Sequence, residues 1–311
     1  MPLLGGCTQE KSSAVGYYFD TVVTITGYCP ASVLQAALDE CARYEALLSK
    51  TREESDVWRI NHAQGAAVTV SEDTLTILVL SQDIAAKSGG AFDITIAPES
   101  ALWDFQAETP VLPATEALAQ AASLVDYRLL IIKGNQVQLP AGHSVDLGGV
   151  AKGYIADALA AYLSARGVKS ALLNFGGNVK VLGEKQGEVP WQIGIQDPAA
   201  EPGVSLATMA LQSGWSLVSS GTYQRGFTKD GVRYHHILDP DTGWPVQNGV
   251  AGTTILAQSS MLADALSTAC FVLGPEKGMA LAQSYGAQAL FLTDAGERIC
   301  TEEMEALLRL G

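Results

Sequence analysis

The chain has 311 residues, 48% of them hydrophobic, and a formal net charge of −14. Such length and apolar content give a globular chain with ample core and exclude a disordered one. The acidic balance excludes a surface built to neutralise nucleic acid or an anionic membrane, so an anionic substrate would need a local lysine or a metal.

The N-terminal stretch "LLGGCTQEKSSA" resembles the lipobox of bacterial lipoproteins, in which a small residue precedes a cysteine that is acylated and becomes the mature N-terminus. Residues 1–16 read as a signal-peptide remnant followed by a tether. Cys7 would be the lipid anchor, holding the protein outside the cytoplasmic membrane. A chance cysteine in a loose terminus is the plainer alternative. The other four cysteines, Cys29, Cys41, Cys270 and Cys300, lack metal-ligand spacing and read as buried thiols.

"YYFDTVVTITGY" (17–28) is rich in β-branched and aromatic residues and predicts one strand. Val33, Ala37, Cys41, Tyr44 and Leu48 recur at helical spacing and predict an amphipathic helix over 31–49. A second helix follows, with Ser71 as N-cap and Gly89-Gly90 as stop. The proline-bearing segment 91–113 reads as loop, 115–124 as helix, and "RLLIIKGNQVQL" as a hairpin turning at Gly-Asn. "SVDLGGVAKG" reads as a short strand ending at Asp146, then glycines, then a long helix striped by Ile155, Leu159 and Tyr162. Two strands come from "SALLNFGGNVKVLG" and "WQIGIQDP", and two more meet at a turn around Asp230-Gly231. "SSMLADALSTACFVLG" is a helix stopping at Gly274-Pro275, followed by one more helix, a strand and a turn. Helices and strands mix without strict βαβ alternation, which predicts an α+β fold.

Several constellations carry chemistry. In "VDLGGVAKG", glycines, a helix N-terminus and Lys152 suit a phosphate, although the spacing matches neither common phosphate loop and an ordinary turn with a surface lysine has the same look. In "LADALSTA", Asp264 and Thr268 are four apart and share a helix face, offering two hard oxygens that suit Mg²⁺ or simply face solvent. "AFDITIAPESALWDF" places Asp93 after a turn and aromatics after Pro98. "FGGN" (175–178) reads as a close backbone approach or a bulge. "RYHHILDPDTGWP" sets two of the chain's four histidines against a rigid turn.

In this order, together with "FDTVVTI", "LLSKTREESDVWRIN" and "SLVSSGTYQRGF", these segments resemble the bacterial FAD:protein FMN transferases, the ApbE-type flavin transferases. The resemblance runs from Tyr17 to about Thr293. It implies an ApbE-like, T-fold-related α+β architecture with a ligand cleft between two closely packed lobes, residues 17–311 forming one domain. It further implies Mg²⁺-dependent transfer of FMN from FAD to a Thr or Ser hydroxyl of an extracytoplasmic electron-transfer protein, with AMP released. By position, Asp264, Thr268 and the Gly149 carbonyl match metal ligands. Phe19, Ala91, Phe92, Asp93, Asp146, Lys152 and Ile237 match FAD contacts, and His236 matches a proton-transferring histidine.

A hydroxyl is a weak nucleophile without a base, and an imidazole suits that task near neutrality. Asp239 could orient His236 or only cap its turn. Thr51 stands where some members stack a Tyr on the flavin, and Trp58 or Trp103 could substitute. Ser267 stands where some members carry a second acidic residue, which points to a single Mg²⁺. Two other functions are compatible: Mg²⁺-dependent hydrolysis of FAD to FMN and AMP, and a non-catalytic FAD-binding lipoprotein.

Overall fold

The computed structural model describes residues 10–201 and 203–310. Cys7 lies outside them. The chain runs β1 (Lys11–Tyr18), β2 (Thr21–Tyr28), α1 (Ala31–Leu48), α2 (Asp56–His62), β3 (Val68–Thr69), α3 (Glu72–Ser88), α4 (Ala97–Ser100), α5 (Thr115–Ala122), β4 (Ile131–Lys133), β5 (Gln136–Gln138), α6 (Ala151–Ala165) and β6 (Ala171–Phe175). It continues with β7 (Asn178–Leu182), β8 (Trp191–Gln196), β9 (Ser205–Leu211), β10 (Ser216–Gly221), β11 (Gly226–Lys229), β12 (Val232–His235), β13 (Val250–Ala257), α7 (Ser260–Ser284), β14 (Gln288–Thr293), β15 (Arg298–Cys300), α8 (Glu302–Leu307) and β16 (Leu308–Leu310).

Eight strands form an antiparallel sheet in the order β1-β2-β6-β7-β10-β13-β14-β15. Strands of this sheet alternate their side chains between two faces. One face, with Val23, Ile25, Leu173, Phe175 and Ile255, packs on α1, α6 and α7 in the main core. The opposite face, with Val179, Val181, Leu217, Leu256 and Leu290, packs on the three-stranded sheet β16-β9-β8 through Trp191, Ile193 and Met209. An α+β architecture with both faces of the large sheet covered is the result.

Local signals explain most boundaries. The Ser71 hydroxyl caps α3 by accepting from the Thr74 N–H, and Gly89 ends it in the left-handed region at φ 65°. The Gly134-Asn135 turn closes β4 on β5. Several expectations change, among them the loop over 91–113, which carries α4. The single strand over 17–28 is a hairpin, because Phe19 and Asp20 both adopt φ 55° and turn the chain. A tether through residue 16 is ruled out because β1 begins at Lys11. Asp146 ends no strand; that segment makes only an isolated bridge between Ile96 and Ser144. At Gly274 (φ 75°) the helix breaks as expected, but a second helical stretch restarts at once with Pro275 in its first turn, where a missing N–H matters least.

Candidate active site

A cavity of about 960 Å³ opens where the β1–β2 turn, the loop after α1, the segment before α4, the start of α6, the β6–β7 turn, the end of β10, the residues after β12 and α7 converge. It is large enough for a dinucleotide. Phe19, Ala91, Phe92, Asp93, Asp146, Gly149, Lys152, His236, Ile237, Asp264 and Thr268 all line it. Of the expected site residues, only Asp239 is not among the lining.

One end of the cavity is built by a close crossing of α6 and α7. A Cβ on Gly153 would lie 2.2 Å from the Ser260 carbonyl oxygen, so glycine alone permits this approach. The crossing brings Asp264 of α7 to the N-terminus of α6. There Asp264 Oδ2 accepts the Gly153 N–H at 2.8 Å, one of the donors a helix start leaves unpaired. Its other oxygen lies 3.9 Å from Lys152 Nζ. Lys152 also donates to the Gly148 carbonyl at 3.0 Å, curling over the glycine turn. Thr268, one turn along α7, places its hydroxyl beside Gly149, 3.4 Å from where a Cβ would sit. A carboxylate, a hydroxyl and a glycine-turn backbone thus meet beside an ammonium at a helix N-terminus.

The two histidines do different work. His235 is buried; its Nε2 donates to the Val246 carbonyl at 2.9 Å and its Nδ1 accepts the Ile237 N–H at 3.3 Å. Both nitrogens are used, and the ring packs edge-on against Phe271. It is a structural residue. His236 faces the cleft. Its Nδ1 lies 3.4 Å from the Arg225 carbonyl, which can only accept, so Nδ1 carries the proton and Nε2 keeps its lone pair. Nε2 has no partner among the described residues. Burial, then the Arg225 and Lys152 charges, pull the imidazole pKa down to about 3. His236 is therefore neutral at any physiological pH, with the Nε2 lone pair free.

Asp146 is held ionised. Burial pushes its carboxyl up, but the Lys50 ammonium at 2.6 Å, the Gly148 N–H at 2.8 Å and the Ser100 hydroxyl at 3.2 Å hold it below the ordinary range. Asp93 is buried and its pKa is raised by burial. Its oxygens are taken by Thr95 and the Tyr127 N–H, so its carboxylate pins the turn carrying Ala91 and Phe92. Ile237 is nearly fully buried and its carbonyl accepts the Val246 N–H at 3.0 Å. The Phe19 ring lies 6.4 Å from Phe175, and its left-handed backbone is anchored by its N–H to Glu45 at 3.0 Å. A bulky residue in that region is strained, which a functional site tolerates.

Several expectations are decided here. The Asp239 carboxylate accepts the Asp241 N–H at 3.0 Å, and its main chain bonds Trp244, Thr242 and Gly243. It caps the turn and does not touch His236. Trp58 stacks on His62 at 4.1 Å and is not among the cleft lining, so it cannot replace the absent tyrosine. Trp103 lines the cleft, stacked on Phe105 at 5.2 Å with its indole N–H donating to Gly243 at 2.9 Å. Thr51 lines the cleft as well. Ser267 is buried, bonded to Ser220 and to the Asp264 carbonyl, and does not face the cavity. Lys50 and Arg225 line the site and were not singled out from sequence, since a lone basic residue in a loop carries no periodic or spacing signal.

Known proteins match this arrangement. The ApbE family profile covers residues 19–291. A FAD:protein FMN transferase of Treponema pallidum is 38% identical over 285 residues, which is 85% of this chain and 78% of that protein. The crystal structure of the ApbE protein of Thermotoga maritima superposes with a TM-score of 0.88 at 32% identity, covering 96% of this chain and all of that one. The apo flavinyl transferase ApbE of Pseudomonas stutzeri gives a TM-score of 0.85 at 30% identity over the full length of both chains. With a profile match across most of its length and relatives at this identity and coverage, the chain belongs to the ApbE family.

Proposed function

We propose that this chain transfers FMN from FAD to a Thr or Ser hydroxyl of an acceptor protein, releasing AMP. The observation that carries the reading is the meeting of Asp264, Thr268, Lys152 and an unpartnered His236 Nε2 in one dinucleotide-sized cleft. The relatives named FAD:protein FMN transferase support it. In the proposed step the acceptor Oγ attacks the phosphorus on the FMN side of FAD. Its proton passes to His236 Nε2, the bond from that phosphorus to the bridging oxygen breaks, and AMP leaves with that oxygen. The product is FMN joined to the acceptor through a phosphoester. Lys152 and Arg225, the two cations that depress the imidazole, would face the diphosphate, whose negative charge opposes their effect and makes His236 a stronger base when substrate is bound.

The donor set fits Mg²⁺. Among the described residues no group of three or more His, Cys, Asp or Glu is placed to hold a metal. One carboxylate (Asp264), one hydroxyl (Thr268) and the Gly149 carbonyl suit an ion that takes few protein ligands and fills its sphere with phosphate and water. When bound, the ion would neutralise charge on the diphosphate. With Ser267 turned into the core, a single ion is the proposed stoichiometry. The acceptor is proposed to be an extracytoplasmic electron-transfer protein, reached by a chain lipid-anchored through Cys7. No described helix is long and apolar enough to cross a membrane.

The decisive experiment incubates the protein with FAD, Mg²⁺ and a candidate acceptor, and weighs the acceptor by mass spectrometry. An added FMN, with AMP released in equal amount, is expected. AMP released at an undiminished rate without acceptor, and no mass added, would make the protein a FAD hydrolase.

A further inference from the structure

Next to the main cleft lies a second groove of about 390 Å³. Its floor is Leu172 and Asn174 of β6 with Val179 of β7, on the face of the large sheet opposite the helices. Its wall is β8. That strand pairs only with β9, so it is the free edge of the three-stranded sheet. Consecutive residues Gln192, Ile193 and Gly194 line the groove, so the backbone of β8, and not one row of side chains, borders it.

Among the described residues, nothing covers the sheet face beyond the groove either. Tyr17 pairs with Val22 and Val15 with Thr24 across β1 and β2, and Thr24 pairs with Asn174 of β6, so all five share one face. Tyr17 is 67% exposed, Val15 62% and Val22 55%, an exposed apolar cluster on a chain of net charge −14. Groove and face end at the same place. Gly176, Ser219 and Gln224 line both the groove and the main cleft, and the Phe19-Asp20 turn joining β1 to β2 lines the cleft too. Arg225, beside Gln224, touches His236 through its carbonyl. The groove therefore reaches the cleft at its base and phosphate end.

We propose that this groove, with the Val15, Tyr17 and Val22 face, seats the acceptor protein. An extended segment of the acceptor adds to the free edge of β8, which supplies main-chain hydrogen bonds, and carries its hydroxyl past Gly176-Gly177 to His236. The inference rests on the transfer reading above. Transfer requires a second macromolecule to bring an oxygen to a phosphorus inside the cleft, and this groove leads to that point. The narrow space between a strand edge and a sheet face suits a single extended chain, whereas a flat lipid surface could meet only the outer residues.

The test uses the full chain with Mg²⁺ and FAD, and a library of synthetic peptides, each with one central threonine among small residues. Val22→Arg places charge on the open face, and Gln192→Trp fills the groove; neither residue is part of the FAD site. The expected result is a KM for the labelled peptide raised about tenfold or more in each variant, with kcat and FAD affinity unchanged. A peptide KM within about twofold of wild type in both variants overturns the proposal. So does sedimentation of the wild type with phosphatidylcholine–phosphatidylglycerol vesicles that Val22→Arg abolishes while peptide KM stays put; the face is then a membrane contact. If the wild type releases AMP and labels no peptide in the library, and no folded acceptor either, the transfer reading itself falls and the groove with it.

Discussion

Two carboxylates meet at α4, Glu99 within the helix and Asp146 bonded to its Ser100, and the protein treats them in opposite ways. Asp146, on the cleft side, is met by an ammonium, a main-chain N–H and the Ser100 hydroxyl, and is held ionised. Glu99, one residue before Ser100, lies in the floor beneath the Asp239–Pro245 turn, where it, Leu118 and Trp103 all meet Gly243. It is fully buried, and among the described residues neither of its oxygens has a hydrogen-bond partner. A Cβ on Gly243 would lie 3.3 Å from its carboxyl carbon, which shows how tightly the turn closes over it. Burial, followed by the nearby charges of Asp239, Asp93 and Asp241, raises its pKa to about 8. The fold spends its polar partners on the cleft side and leaves the floor to carry a neutral acid. Where charge is deliberately satisfied, function follows; where it is suppressed, only packing does.

The largest effect expected from that contrast is at Asp264. Asp264→Asn keeps the side-chain shape but removes the charge that would hold the ion. Mg²⁺-dependent AMP release should fall by about 10³-fold or more, measured by nucleotide chromatography, with little change in melting temperature. Next comes His236→Ala. Transfer to acceptor should fall about 10²–10⁴-fold, the usual worth of a positioned base, while FAD affinity stays within a few-fold. Transfer within a few-fold of wild type would remove His236 from the mechanism.

Glu99 tests the other side of the comparison, because its effect should be on stability and not on rate. Its folded pKa of about 8 lies above the ordinary 4.5, so the native state holds the proton more tightly than the unfolded chain. Wild-type stability is therefore greatest below about pH 4.5 with respect to this group, declines as pH rises toward 8, and is flat beyond. Glu99→Leu should remove that slope and gain about 3–4 kcal/mol at pH 7 (about 1.4 kcal/mol per pH unit over that window), seen as a melting temperature several degrees higher. Identical pH profiles for wild type and variant would mean the carboxyl has found a partner.

The sequence is legible in this structure wherever the signal is local. The α3 caps, the Gly134-Asn135 turn and the Gly274 break all follow from residues within a few positions of each other. The β1–β2 hairpin was hidden because its turn is Phe-Asp, which carries none of the glycine or asparagine chemistry that usually marks left-handed backbone. The β16-β9-β8 sheet was hidden because β16 pairs with a strand a hundred residues upstream, at Ala207–Met209. In the site, Asp264 and Thr268 could be read as a pair because helical spacing alone puts them together. Lys50 could not, because its partner Asp146 is 96 positions away. Asp239 was ambiguous for the same reason: an Asp-Pro turn looks alike whether its carboxylate points at a histidine or at its own backbone.

That ambiguity gives the smallest expected effect and the sharpest boundary between the two regions. Asp239 follows the cleft-lining segment His236–Leu238 and stands over Glu99, so it could belong to either side. Its carboxylate accepts the Asp241 N–H, a local cap of the kind worth about 1 kcal/mol. Asp239→Ala should therefore lower stability by about that amount at acid pH. At pH above about 8 part of the loss should be returned, since one of the charges that burden Glu99 disappears once the glutamate ionises. Transfer activity should stay within about twofold of wild type, because a cap that never touches the imidazole moves no proton. If instead Asp239→Ala lowers transfer as far as His236→Ala does and the double variant is no worse than either, the two side chains act as one unit. The turn would then have to rearrange when FAD and acceptor bind, and the line drawn between a functional cleft and a structural floor would have to pass beneath Asp239 and not above it.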